Sequence, residues 1–138
     1  MGLAGAWIAM WRSEAPRPVG GQLAPCPSSP NCVSSQAPAG DAVHHVAPLL
    51  LHGDPDTVAA RLEALLAAFP GALEVEREGD ALRMACRTRS WLFIDDVDLV
   101  IDRTAAVVHV RSASRIGYGD LGANRLRVRQ LREAWSAP

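Results

Sequence analysis

Lysine is absent from this 138-residue chain: all 14 basic residues are arginine. Coding bias toward arginine codons produces the same pattern, so function is read only from where the arginines cluster, since a guanidinium fork grips planar oxyanions two-handed and an ammonium does not. An excess of positive charge is also missing. The formal net charge of −1 gives no long-range pull toward nucleic acid or anionic lipid. Cysteine is scarce, and three thiols are too few for a disulfide framework and lack the Cys-x-x-Cys pairs of a structural zinc site. No long apolar run exists. Residues 2–11 are apolar but about half the length that spans a bilayer, with no basic residue before them. They read as a surface-seeking or frayed segment, or as the stub of a membrane anchor giving weak membrane association. Leu23-Ala24-Pro25-Cys26 looks faintly like a lipoprotein cleavage box, without the adjacent apolar run that should precede one. The chain is cytoplasmic on this reading, with membrane association or export as the alternative.

What is present fits one domain. A length of 138 residues with 49% apolar and 21% charged residues lies in the ordinary globular range and leaves no room for a second folded unit. Residues 1–23 read as an N-terminal arm and 24–138 as the domain. Pro, Gly and Ser crowd residues 13–40, where neither helical nor strand periodicity persists. A first strand is predicted over 42–51, with Pro48 marking an edge position or strand end. Asp54 and Pro55 open a helix as N-cap and first residue, Val58, Leu62, Leu65, Leu66 and Phe69 form its apolar stripe, and Pro70-Gly71 ends it.

Four strands follow, over 72–77, 81–89, 91–102 and 105–116, joined by turns short enough to make neighbours antiparallel. Alternation puts Leu82, Met84, Cys86, Val97, Leu99, Ile101, Val108 and Val110 on an apolar face. Arg83, Arg87, Arg89, Asp96, Asp98, Asp102, His109, Arg111 and Arg115 fall on a charged one. A last helix, about 122–135, carries Leu121, Asn124, Val128, Leu131 and Trp135 on one stripe, flanked by Arg125, Arg129 and Arg132. The fold class is α+β, in the order β-α-β-β-β-β-α: a curved antiparallel sheet covered on one face by two helices, an architecture like that of the TATA-box-binding protein. That likeness carries no inference about DNA.

Two segments hold the distinctive chemistry. Residues 26–35, Cys-Pro-Ser-Ser-Pro-Asn-Cys-Val-Ser-Ser, pack thiols, hydroxyls and the Asn31 amide into a loop stiffened by Pro25, Pro27 and Pro30. Cys26 and Cys32 admit three readings: a local disulfide, a reactive thiolate at Cys32, or thiols without a task. Cys86, in phase with Leu82 and Met84, reads as core. His44 and His45 are neighbours on a predicted strand and so point to opposite faces, which argues against a shared metal. One of them is a candidate base toward Cys32, although a structural histidine is the commoner case. Asp95 and Asp96 are open candidates for a site, whereas Asp98 and Asp102 are explained by cross-strand pairing with arginine. The second segment, 111–125, feeds two arginines, two serines and a glycine-rich turn into a helix N-terminus, the ingredients for holding a carboxylate or phosphate. Against that, Asp120 as N-cap would occupy those N–H groups itself. The segment fits neither the phosphate-binding loop nor the dinucleotide fingerprint.

These stretches, Cys-Pro-Ser-Ser-Pro-Asn-Cys-Val-Ser-Ser at 26–35, Asp-Asp at 95–96 and Arg-Ser-Ala-Ser-Arg-Ile-Gly-Tyr-Gly-Asp-Leu-Gly-Ala-Asn-Arg at 111–125, resemble the signature segments of the family called domain of unknown function 1499. The resemblance covers about residues 24–135. It implies no reaction, cofactor or partner; its members often look membrane-anchored or exported.

The functional expectation is a cleft where the first segment meets the second, binding a small anionic or polar ligand or a protein partner. Its candidate lining is Asn31, Cys32, Ser34, Asp95, Asp96, Arg111, Ser112, Ser114, Arg115, Asp120, Asn124 and Arg125. The alternative is a cysteine-dependent hydrolase or transferase, with Cys32 as nucleophile, His44 or His45 as base, and Arg115 with backbone N–H groups stabilising an oxyanion. No metal, cofactor or nucleic acid is called for by either reading. A third possibility is a purely structural protein, in which every polar residue is paired internally.

Overall fold

The computed structural model describes residues 15–88 and 93–136. The expectations for residues 2–11, for Arg89, for Ser90 and for the start of the third long strand at Trp91 lie outside them. The elements are β1 (Cys32–Ser34), β2 (Leu49–Leu50), α1 (Pro55–Ala67), β3 (Ala72–Glu78), β4 (Ala81–Arg87), β5 (Ile94–Asp102), β6 (Val107–Ser114) and α2 (Ala123–Ser136). The sheet runs β1-β6-β5-β4-β3, with β2 on the same edge of β6 as β1, and every strand pair is antiparallel.

Local chemistry fixes the element ends. The Asp54 carboxylate accepts from Asp56 N at 3.0 Å, and Pro55 takes the first helical position, where its missing N–H costs nothing. Gly71 turns the chain from α1 into β3 with φ +88°, and a Cβ there would lie 2.7 Å from the Arg87 carbonyl oxygen. Only glycine fits such a position.

The alternation of β4, β5 and β6 sends Leu82, Met84, Cys86, Val97, Leu99, Ile101, Val108 and Val110 into one core, against Val58, Leu62 and Leu66 of α1 and Val128, Leu131 and Trp135 of α2. The α+β expectation of a sheet covered by two helices holds. Three local expectations change. The strand expected over 42–51 shrinks to Leu49–Leu50, beginning where Pro48 ends; upstream, Asp41 Oδ1 accepts from Val43 N and His44 N, each at 3.2 Å, and coils the backbone into a turn. Residues 32–34, expected as loop, form β1 instead, pairing Cys32 with Ala113 and Ser34 with Arg111. Leu121 leaves the helical stripe: it sits at φ +53°, fully exposed, two residues before α2 begins at Ala123.

The charged face is also not a solvent face. Arg83, Asp96, Asp98 and Arg111 are all buried. Their cover is the proline-rich arm, whose carbonyls suit guanidinium donors because proline offers no N–H. Arg83 Nη1 donates to Ala15 O at 3.1 Å, Arg83 Nη2 donates to Pro16 O, and Arg111 Nη2 donates to Pro25 O at 3.3 Å.

Candidate functional site

The two distinctive segments do meet. Ser114 N donates to Asn31 O at 3.0 Å, Asn31 Nδ2 donates to Gly117 O at 2.8 Å, and Asn124 Nδ2 donates to Asn31 O at 3.2 Å. They meet along the edge of β6, however, so strand alternation splits their side chains between two faces instead of gathering them in one cleft.

On the helix face lie Asp95, Ser112, Ser114, Asn124 and Arg127. Ser112 Oγ donates to Asn124 Oδ1 at 2.7 Å, and Arg127 Nη1 donates to the same oxygen at 2.9 Å. Asn124 Nδ2 lies within hydrogen-bond reach of Ser114 Oγ at 3.1 Å and Asp120 Oδ2 at 2.8 Å. Asp120 also accepts from Gly122 N at 2.9 Å and Asn124 N at 3.1 Å, so it caps α2 and fills the helix N-terminus that an oxyanion would need. Those backbone bonds and the Asn124 amide outweigh its burial and hold its carboxyl below the usual range.

Asp95 Oδ2 forms an ion pair with Arg127 Nη1 at 2.8 Å. Among the described residues no well-formed hydrogen bond reaches either of its oxygens. Burial pushes this carboxyl above its ordinary range, against the opposing pull of Arg127 and of the Ser114 hydroxyl across the strand. Asp95, Ser114 and Asp120 edge a cavity of about 330 Å³ with Phe93, Ile116 and Leu121 at its rim.

On the other face the arrangement is a row of charges. Arg83, Asp98 and Arg111 are direct neighbours across β4, β5 and β6. Arg83 grips Asp98 two-handed, Nε to Oδ1 and Nη2 to Oδ2, both at 2.7 Å. Arg115 grips Asp96 in the same way, at 2.8 and 2.9 Å. Each carboxylate therefore has both oxygens engaged by one fork. Arg111, 3% exposed, is left with the 3.3 Å contact to Pro25 O, and its Nε has no acceptor among the described residues. Burial depresses the Arg111 pKa more than the carboxylates at Asp98 and Asp96 raise it. Asp98, despite Arg83, is held above its ordinary range by burial.

Arg111 opens on a cavity of about 380 Å³, shared with Asp96 and Arg115 and walled by Pro16, Pro25 and Pro27. A disulfide sets that wall. Cys26 and Cys32 are joined with an S–S distance of 2.07 Å, and Cys32 is anchored in β1 beside β6. The pairing selects one of the three possibilities the spacing allows, and it changes the catalytic reading: a sulfur shared in a disulfide is no thiolate nucleophile. His44 does not serve it either. Its Nδ1 lies 2.8 Å from Asp41 Oδ2 and its Nε2 2.9 Å from Ser29 O. The Asp41 carboxylate, followed by the Ser29 carbonyl, raises the His44 pKa. His45 Nδ1 lies 3.0 Å from Ala37 O. Among the described residues no group of three His, Cys, Asp or Glu side chains is placed to hold a metal.

Of the remaining candidates, Ser34 lies buried in β1 and accepts from Gln36 N at 3.1 Å. Arg125 is exposed and away from both cavities, its fork donating to the carbonyls of Ala42, Val43 and His45 and pinning that turn to α2. Sequence reasoning misses Arg127, yet the position is legible: it stands three residues after Asn124 and four before Leu131, on the inward stripe. It also misses Arg17, which pairs with Glu76 at 2.7 Å and ties the arm to β3.

A family model described as protein of unknown function (DUF1499) matches residues 22–135. The chain belongs to this family. The matched span takes in the disulfide loop, the greater part of both cavity walls and both helices, so the family domain is essentially the whole folded unit described above. No curated protein and no solved structure matches the chain. Among the described residues no helix is long and apolar enough to cross a membrane.

Proposed function

We propose that this domain binds a small anion on the proline-covered face of its sheet, with Arg111 as the receiving group. One observation carries the reading: three buried or nearly buried guanidiniums, Arg83, Arg111 and Arg115, share that face with two carboxylates, Asp96 and Asp98, each already gripped by its own arginine. A buried cation without a counter-charge is costly. A cavity of about 380 Å³ beside it supplies the room for an anion that would complete the row. Nothing in the disulfide-linked pair or in the engaged histidines supplies a nucleophile or a base, so the reading is of binding without catalysis.

The test is thermal and calorimetric titration of the full chain in low-chloride buffer with acetate and with inorganic phosphate. The melting temperature should rise with anion concentration as the site fills. Arg111→Gln, checked for folding by circular dichroism, should lose that rise. A response that is flat with every anion, or unchanged in Arg111→Gln, overturns the proposal.

A further inference from the structure

The walls of the Arg111 cavity narrow the class of anion it takes. The row Arg83, Asp98, Arg111 and the pair Arg115, Asp96 together leave one positive charge unmatched. A single negative charge balances it. A phosphate dianion would overshoot and would stand in a low-dielectric pocket beside two carboxylates, where like charges repel most strongly. The donors point the same way. Phosphate sites are built from converging backbone N–H groups, often supplied by glycine. Here the wall is Pro16, Pro25 and Pro27, which have no N–H, together with Ala15 and Ala113. The charged donors lining the space are the Arg115 fork, already on Asp96, and the Arg111 fork. A planar carboxylate suits that fork.

The volume adds a second constraint. A carboxylate group fills only a small part of about 380 Å³. Beyond the charged side chains of Asp96 and Arg115, ring and methyl surfaces of Pro16, Pro25, Pro27 and Ala113 bound the space. The Cys26–Cys32 disulfide fixes Pro25 and Pro27 in place, so the wall stands ready before a ligand arrives.

We infer that the ligand is an amphipathic monocarboxylate, its carboxylate on Arg111 and its hydrocarbon or aromatic body against Pro16, Pro25 and Pro27. The inference rests on the anion-binding reading, and the experiment separates the two. Isothermal titration of the full chain in low-chloride buffer at neutral pH would compare acetate, hexanoate, 1-hexanol and inorganic phosphate. Each methylene buried should tighten binding roughly fourfold, so hexanoate, with four more methylenes, should bind about 250-fold tighter than acetate. Hexanol and phosphate should both bind more weakly than hexanoate, and Arg111→Gln should erase the advantage of hexanoate over hexanol. If phosphate binds tighter than hexanoate, or acetate binds as well as hexanoate, the anion site stands and the amphipathic class is overturned. If hexanol matches hexanoate, or no compound binds, the anion-binding reading falls with it. The ligand series runs on the unmodified protein, so its outcome does not depend on any variant folding.

Discussion

Replacing Arg111 with methionine should stabilise the ligand-free protein, although it deletes a buried charged side chain and a hydrogen bond. The stem atoms are nearly matched in length, so the packing under Pro25 persists. The loss is one long contact, Nη2 to Pro25 O at 3.3 Å, worth about 1 kcal/mol at most. The gain is release from burying a guanidinium whose nearest carboxylates, Asp98 and Asp96, are already occupied by Arg83 and Arg115. The effective burial cost of an ion is several kcal/mol, and apolar replacement of buried charge has stabilised other proteins by about 1–4 kcal/mol. A net gain of about 1–2 kcal/mol follows. For a 138-residue chain the unfolding entropy is about 0.3 kcal/mol per degree, so the melting temperature should rise by about 3–7 °C. Arg83→Met is the opposite case, because it breaks the two-handed pair and leaves the buried Asp98 carboxylate only the Arg111 charge across the strand, with no side-chain hydrogen bond from it. That variant should lose about 3–5 kcal/mol. Thermal and urea denaturation of both variants in low-chloride buffer decide the matter. If Arg111→Met falls as far as Arg83→Met, then Arg111 is compensated in the free protein and the unmatched-charge argument is wrong. Saturating carboxylate should narrow or reverse the advantage, because only the native side chain then gains from the ligand.

Three further outcomes are expected. Cys26→Ala combined with Cys32→Ala opens a crosslink spanning six positions and should cost about 2 kcal/mol, or about 7 °C in melting temperature, with a further loss of carboxylate affinity as the proline wall loosens. Gly71→Ala should cost more than about 2 kcal/mol in urea denaturation, since its Cβ would meet the Arg87 carbonyl at 2.7 Å at φ +88°; Gly79→Ala, at φ +60° with open space around it, should cost only about 1 kcal/mol. The Asp41–His44 pair should support the fold in a bounded pH window. The lowered Asp41 pKa contributes above its ordinary value of 3.8 and is lost as pH falls through the folded value, while the raised His44 pKa contributes fully below 6.5 and is lost as pH rises through the folded value. An NMR titration of the His44 ring, together with melting of His44→Gln across that range, should show the variant losing the dependence.

Period-two alternation makes the fold legible from Leu82 to Val110, because each residue there answers to one face only. The α1 start is legible for a different reason: Asp54 and Pro55 act through their own backbone, without reference to the rest of the chain. What resists reading depends on distant segments. β1 is three residues among prolines, too short to show a period, and it exists because the outer edge of β6 needs hydrogen-bond partners. Asp98 reads from sequence as an exposed pair worth little, because nothing local announces that Ala15, Pro16 and Pro25 will lie over it. The same cover turns Arg111 from one charge among many into the unmatched one. The two thiols stay ambiguous in the sequence because six positions of separation permit a bond only if the loop doubles back, and β1 is what folds it.

The alternation that makes the strands legible also misleads when a motif is taken as a unit. Asp95 and Asp96 are adjacent in sequence and stand on opposite sides of the sheet, as do Ser114 and Arg115. Ser112, Ser114 and Asn124 therefore belong to a hydrogen-bonded lattice that fastens α2 to β6 and to the Asn31 loop, while Arg111 and Arg115 from the same stretch face the prolines. Changes to the first set should act on stability and reach the ligand only by shifting β6. Changes to Arg111 should act on the ligand directly. What singles out Arg111 as the proposed receiving group is neither its charge nor the density of polar groups around it. It is that each neighbouring carboxylate on its face has both oxygens held by another arginine.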